Sequence, residues 1–290
     1  MTYKEWFQTI VAQYTIGELE QICKGLNKVY NIYDPENIRW KKIAYYFFKT
    51  KVTDLDSLSK TVLSNQFIND LFLRYYVCER VVKYYLIKKL IGLTDDIVAF
   101  EMSVGDSRID VCRINGGSYA YEIKTQYDSF DRLENQMKDY LKAFEKVYVV
   151  VPYTRVSSIQ SFIPCECGII SYRQASNYEL VFSYYRRSIK TQCDVNFCLS
   201  NLSSRDLSDF LRMAKMNSAG SKSEKLAAIL QYSNNHNIWP IYRQLLKAKY
   251  KPSWLFIKDH FSEILPIDIQ SFFASTMSPV LLYEAKKEHS

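Results

Sequence analysis

The strongest constraint on this chain lies between residues 97 and 153, where short strand-like runs enclose a single helical one. "IVAFEMSV", "SRIDVCRI", "SYAYEIKT" and "KVYVVVPY" are short, rich in β-branched and aromatic residues, and bounded by turn residues. Between the third and fourth, "DSFDRLENQMKDYLKAF" sets Phe130, Leu133, Met137, Leu141 and Phe144 three or four apart, the spacing of an amphipathic helix. A further helical piece, "TRVSSIQSFI", leads to "CGIISYRQ" and "NYELVFSYY". Strands that alternate with helices in this order predict an α/β fold with a mixed sheet. Residues before about 95 read as helical, and residues 71–90 read as one amphipathic helix carrying five basic residues. Strand-like runs stop near residues 190–200. Helical segments then return, broken at "NSAGSKS", "SNNHNIWP" and "KPSW". The expected division is a helical extension over residues 1–70, an α/β core over 71–195 and a helical region over 196–290.

With 290 residues, 48% of them hydrophobic, the chain can bury one large core or two small ones. Its net charge of +7 suits a polyanionic partner without requiring one. Seven cysteines show no metal-ligand spacing: Cys165 and Cys167 form only C-x-C. They read as reduced, buried thiols of a cytoplasmic protein. "MTYKEWFQTI" lacks the apolar run of a signal peptide, and runs such as "VYVVVPY" are too short to span a bilayer, so no membrane role is expected. His236, His260 and His289 are dispersed near the C-terminal end and support neither a zinc site nor a histidine base.

The chemistry concentrates in "SRIDVCRINGGSYAYEIKTQYDSF", residues 107–130. "INGGS" supplies residues that tolerate the left-handed backbone of a tight turn. A hairpin symmetric about Gly116 sets Asp110 directly opposite Glu122, with their Cβ atoms ~5 Å apart on one face. Side chains alternate along a strand, so Lys124 shares that face, while Tyr121 and Ile123 point into the apolar layer. Facing carboxylates repel unless something compensates. A divalent cation does so: two carboxylates and the backbone carbonyl of Ile123 are hard oxygen ligands suited to Mg²⁺ or Mn²⁺. The alternative is a solvated face on which Lys124 simply pairs with one of the acids. Glu101 reads as the start of the first strand and Asp106 as part of the turn "VGDS".

The motif D-x11-E-I-K on a hairpin, followed by a helix bearing Gln136 and Tyr140, resembles the PD-(D/E)XK nuclease superfamily. More narrowly, "EMSVGDSRIDVCRINGGSYAYEIKTQYDSFDRLENQMKDYLKAFEKVYVVVP" is similar to the sce7726-type family of uncharacterised bacterial and phage proteins assigned to it. The resemblance covers roughly residues 75–175. In "SFDRLENQMKDY", Ser129, Arg132, Gln136 and Tyr140 fall three or four apart, which puts them on one helical face. The resemblance implies a restriction-endonuclease-like mixed sheet flanked by helices, with helical N- and C-terminal additions. It also implies a metal-dependent phosphodiesterase in which Asp110 and Glu122 hold the metal. Lys124 would act on the water or the transition state, and Gln136 and Tyr140 would position the lysine or the nucleic-acid backbone. Such folds often add an acid from the helix before the sheet, and Glu79 is the candidate, although a surface pair with Lys83 is an equal reading. Ile109 stands where the superfamily's proline would precede Asp110.

Two other stretches bear on the partner. "LSSRDLSDFLRMAKMNSAGSKSEKLAAIL" faintly resembles a SAP-like helix–loop–helix, in which free helix-start amides with Lys222 and Lys225 would suit phosphate. A plain helical hairpin on the core is the simpler reading. The tyrosine-rich helices read as core with hydroxyls reaching water rather than as base-stacking surfaces. The expected function is metal-dependent hydrolysis of phosphodiester bonds, endonucleolytic or exonucleolytic, with DNA favoured over RNA, in a phage, defence or repair setting. Arg108, Arg132, Lys138 and Lys222, together with Arg74, Arg80 and Lys83, would hold the backbone without reading bases. The rivals are an RNA or tRNA nuclease of a toxin or defence system and an inactive nucleic-acid-binding module.

Overall fold

A computed structural model describes residues 1–93, 95–275 and 277–284, so His289 lies outside the described residues. The chain divides into two compact units. The first comprises residues 1–85, 175–179 and the described residues from Ile257 onward; the second comprises Leu86–Gln174 and Leu180–Phe256. These lines of division differ from the three consecutive stretches read in the sequence, because the C-terminal helices are shared between the units.

The first unit is helical. It holds α1 (Tyr3–Val11), α2 (Ile16–Val29), α3 (Glu36–Tyr46), α4 (Val52–Ser59), α5 (Ser64–Tyr75) and most of α6 (Glu79–Lys88). Threonine and glutamate form capping boxes at the starts of α1 and α2, Thr2 with Glu5 and Thr15 with Glu18, which satisfy amides that a helix start leaves open. Phe7, Leu26, Phe67 and Leu71 are buried in its core. The single helix expected over residues 71–90 is broken. Tyr76 leaves helical geometry at φ −151, its ring packs on Phe72 at 5.6 Å, and both Tyr76 and Cys78 are buried in the gap. Apolar residues run on through the break, so periodicity does not reveal it.

The second unit is built on a six-stranded mixed sheet, β1 (Ile97–Val104), β2 (Ser107–Ile114), β3 (Ser118–Ile123), β4 (Lys146–Pro152), β5 (Gly168–Gln174) and β6 (Leu180–Arg186). The strands lie side by side in chain order. The pairs β1–β2, β2–β3 and β5–β6 are antiparallel, while β3–β4 and β4–β5 are parallel. The antiparallel strands are joined by tight turns, and α7 (Leu133–Ala143) makes the longer crossover that a parallel β3–β4 pair needs. Five consecutive buried residues in β4, Val147–Val151, fit a central strand covered on both faces. Fold class and strand positions therefore agree with the sequence reading: an α/β protein with a mixed sheet flanked by helices. "TRVSSIQSFI" yields only a short turn of 3-10 helix and α8 (Val156–Ile159). After β6 come α9 (Val195–Ser200), α10 (Ser204–Met213), α11 (Lys222–Ser233) and α12 (Trp239–His260), then α13 (Ile269–Ala274) and α14 (Pro279–Glu284) in the first unit. Among the described residues no helix is long and apolar enough to cross a membrane.

Candidate active site

The β2–β3 register pairs Val111 with Tyr121 and Ile114 with Ser118, so one further step sets Asp110 opposite Glu122, as the symmetric hairpin predicts. The turn differs from the expectation. Neither Gly116 nor Gly117 has a positive φ, whereas Gly105 in the β1–β2 turn does, at φ +58. At Gly117 an added Cβ would lie 2.7 Å from a Glu145 carboxylate oxygen, the end of a side chain that can move aside.

Strand alternation then sorts β3. Tyr121 turns to the apolar side and stacks on Tyr148 at 5.6 Å. Glu122 turns to the side that α7 covers, where Leu133, Met137 and Tyr140 are buried. Glu122 is 2% exposed and Asp110 9%. Lys124 Nζ donates to Glu122 Oε1 at 2.7 Å and to Gln136 Oε1 at 3.0 Å. The Tyr140 hydroxyl lies 2.9 Å from Glu122 Oε2 and 2.9 Å from the Arg108 carbonyl oxygen, so its single proton serves one of the two at a time. Burial, followed by the charge of Glu122, pushes the Tyr140 phenol far above its ordinary range and keeps it a donor. Ile123 meets Asp110 through its amide, which donates to Asp110 Oδ2 at 2.6 Å. The structure thus brings Asp110, Glu122, Lys124, Gln136 and Tyr140 to one patch.

Lys124 is not the exposed lysine of a surface strand. Its side chain is 13% exposed and that of Glu122 3%. Continuing the ladder, the Lys124 amide donates to the Val150 carbonyl at 2.9 Å, which fixes the lysine just beyond the end of β3.

Glu101 is the residue whose place the sequence reading missed. It sits in the middle of β1, with φ +54, between the pairs Phe100–Val111 and Met102–Ile109. That register sets it opposite Asp110, and carboxylate oxygens of Glu101 and Asp110 lie within 4.8 Å of each other. A left-handed glutamate inside a strand costs on the order of 1 kcal/mol or more, a strain that collects at functional sites. Glu101 Oε2 also pairs with Arg108 Nε at 2.6 Å. The signal was available: a two-residue turn at Gly105 and Asp106 places residue 101 opposite 110 by the same arithmetic that places 110 opposite 122.

The remaining candidates lie around this patch or away from it. Ser129 lies outside α7 and Arg132 stands at its N-cap, so only Gln136 and Tyr140 share a helical face. The chain is tied off before the helix. Asp128 Oδ2 accepts the amide and hydroxyl of Thr125, and Arg155 donates to the carbonyls of both residues. Arg155 also lies over the Phe130 ring at 3.9 Å. Lys138 pairs with Glu134 one turn away at 2.7 Å. Lys222 opens α11 in the first turn after Ser221, but a capping box with Glu224 places a carboxylate there, as Asp206 does at the start of α10. These helix starts are therefore already served by acids, contrary to the free amides expected of a phosphate-binding pair. Glu79 opens α6 in the first unit, where it pairs with Lys83 at 2.5 Å.

The donor set fits a hard divalent cation. Glu101 and Asp110, with carboxylate oxygens within 4.8 Å of each other, could both reach one such ion. Of the acids near it, Glu101 pairs with Arg108 and Glu122 with Lys124.

Comparison with known proteins places the chain in a family. The family model for bacteriophage P4 protein cII matches residues 74–272, more than half of the chain, and the protein belongs to that family. Protein cII of Enterobacteria phage P4 is 31% identical over 97 residues, which amount to 33% of this chain and 36% of that protein. The match thus spans about a third of the relative's length. Among solved structures, the SPO1766 protein of unknown function from Silicibacter pomeroyi aligns over 55% of this chain and 92% of its own, at 17% identity and a TM-score of 0.30. At that score the likeness carries no argument.

Proposed function

We propose that this protein is a metal-dependent nuclease that hydrolyses phosphodiester bonds of DNA. The observation that carries the reading is the convergence of Lys124 on Glu122 and Gln136, with Asp110 across the hairpin and Tyr140 closing the other side. Asp110, Glu122 and Glu101 would hold Mg²⁺ or Mn²⁺, which supplies an activated water and neutralises charge on the scissile phosphate. Gln136 holds the Lys124 ammonium beside the carboxylates, where it can meet the attacking water or a phosphate oxygen. Tyr140 keeps Glu122 oriented by a hydrogen bond that burial makes costly to lose. Exposed Arg132 and Arg108 stand beside the patch and suit sequence-independent backbone contacts.

The test is a substrate panel: supercoiled plasmid, single-stranded DNA and RNA, each incubated with the purified full chain in Mg²⁺, Mn²⁺ or EDTA. Metal-dependent cutting of DNA supports the proposal. Cutting of RNA alone moves the substrate to RNA. Binding without cutting in any metal leaves a nucleic-acid-binding module and removes the enzyme.

A further inference from the structure

Strand alternation turns Tyr119 and Tyr121 to the face of the sheet away from Glu122 and α7. The registers then build a row on that face. Arg113 pairs with Tyr119 and Tyr119 with Lys146, so the three side chains run side by side across β2, β3 and β4. The next row holds Tyr121 and Tyr148, whose rings stack at 5.6 Å, and Tyr148 meets the Tyr184 ring of β6 at 5.7 Å. At this corner the face opens to solvent. Tyr184 is 55% exposed, Arg187 is exposed, and Tyr119 and Lys146 are half-buried.

A bulge sets the cation at the edge. In the β5–β6 ladder Ile170 pairs with Tyr184 but Ile169 with Arg186, so Tyr185 is an extra residue on β6. Regular alternation would put Arg186 on the side of Tyr184; a bulge re-aims the side chains beyond it. Arg186 instead turns back, its Nε donating to the Cys167 carbonyl at 2.8 Å, and the Arg187 guanidinium comes over the Tyr184 ring at 4.9 Å. The same pairing recurs on this face. Arg113 and Lys146 lie over Tyr119 at 4.8 and 5.8 Å, and Lys89 lies over Phe182, two residues before Tyr184, at 5.2 Å. Arg113 is neutralised by Asp96 at 2.6 Å. Among the described residues Lys89, Lys146 and Arg187 pair with no carboxylate. Three uncompensated cations therefore stand beside three aromatic rings.

We propose that this face of the sheet binds single-stranded nucleic acid. An unpaired base stacks on Tyr184, with Phe182 and Tyr119 as the flanking rings, and Lys89, Lys146 and Arg187 meet the phosphates. Charge selects a polyanion. The rings select a strand whose bases are free to stack, because a duplex offers this face its phosphates alone. Stacking and phosphate contacts carry no base sequence, so binding is sequence-tolerant. The face lies on the other side of the sheet from Glu122, so it holds a strand and takes no part in the chemistry of the Asp110–Glu122–Lys124 patch. It does not rest on the nuclease reading.

The experiment is fluorescence anisotropy of the full chain with labelled oligothymidylate, oligouridylate and a mixed-sequence duplex, each of about 15 nucleotides per strand, in EDTA, where cutting plays no part. At least one single strand should bind about tenfold more tightly than the duplex. Tyr184→Ala should weaken that binding about tenfold, the scale of one lost base–ring stack, without changing its salt dependence, and Tyr184→Phe should keep the parental affinity. Lys146→Gln together with Arg187→Gln should lower the log–log salt slope by about 1.4, at about 0.7 for each phosphate contact on a single strand. Circular dichroism verifies that each variant is folded. Duplex bound as tightly as single strand, no binding of either single strand, or parental affinity in both Tyr184→Ala and the double variant overturns the proposal. Failure to cut any substrate in Mg²⁺ removes the nuclease reading and leaves this one standing.

Discussion

Replacing Lys124 by alanine should destabilise the second unit by about 3 kcal/mol, far more than the ~0.5 kcal/mol expected of a surface lysine. The magnitude follows from what the substitution strands. Glu122 is 2% exposed, and Lys124 Nζ sits 2.7 Å from its Oε1. With side chains 13% and 3% exposed, water screens the pair little. Removing one member of a buried ion pair costs about 3–5 kcal/mol, because the other charge stays without its partner. Tyr140 still donates to Glu122 Oε2, which places the cost at the lower end. Glu122→Gln removes the charge that Lys124 compensates. The double variant Glu122→Gln/Lys124→Ala should therefore cost less than the two single changes added together, by about 2 kcal/mol. Urea unfolding in EDTA, followed by far-UV circular dichroism, gives the free energies. Hydrogen exchange at the Ile123 amide, which donates to Asp110, locates the loss in β3. A Lys124→Ala change within ~0.5 kcal/mol of the parent, or additive costs in the cycle, would refute the buried-pair argument.

Other outcomes follow from the same physics. Calorimetry with Mn²⁺ should show a binding event that Asp110→Asn abolishes and Glu101→Gln weakens; unchanged binding in both variants removes the metal assignment. In the first unit, burial raises the Asp268 carboxyl from 3.8 to about 6, against hydrogen bonds from Tyr30 and Tyr283. Between about pH 4 and 6 the folded chain holds a proton that the unfolded chain has released, so this group's contribution to stability falls as pH rises and levels off above about 6. The loss amounts to ~3 kcal/mol at ~1.4 kcal/mol per pH unit, and Asp268→Asn should remove it; identical stability–pH profiles for parent and variant would contradict this. Gly168→Ala should destabilise the sheet by ~2 kcal/mol or more, because the added Cβ would lie 2.4 Å from the Tyr148 ring and 2.7 Å from the Ser188 backbone nitrogen. A denaturation midpoint equal to the parent's would show that the strand yields at no cost.

Strands β1 to β6 were legible because each is a short β-branched or aromatic run ended by turn residues, and α7 because its apolar residues keep a helical period over its three turns. The hairpin register was legible too, since equal distances from a turn fix which residues face each other. What failed depended on contacts outside the local pattern. The break at Tyr76–Cys78 is filled by buried side chains and so keeps its hydrophobic spacing. Ser129 is kept off α7 by Asp128 and by Arg155, a residue 26 positions away whose hydrogen bonds no periodicity carries. Lys124 looked exposed because a lysine at a strand end normally is; only the packing of α7 over β3 encloses it. The left-handed backbone of Glu101 is invisible to propensity, although its register position was open to the turn arithmetic.

The central claim is that the chemistry belongs to the Asp110–Glu122–Lys124 patch, and nicking of supercoiled plasmid by matched single variants tests it most directly. The parent chain should convert plasmid to open-circular or linear forms in Mg²⁺ and not in EDTA. Asp110→Asn, with its folded state verified by circular dichroism, should lose that activity by at least about a hundredfold, the scale on which removing one stabilising group from a catalytic site is felt. Full Mg²⁺-dependent cutting by a folded Asp110→Asn protein would contradict the account and place the activity elsewhere in the chain.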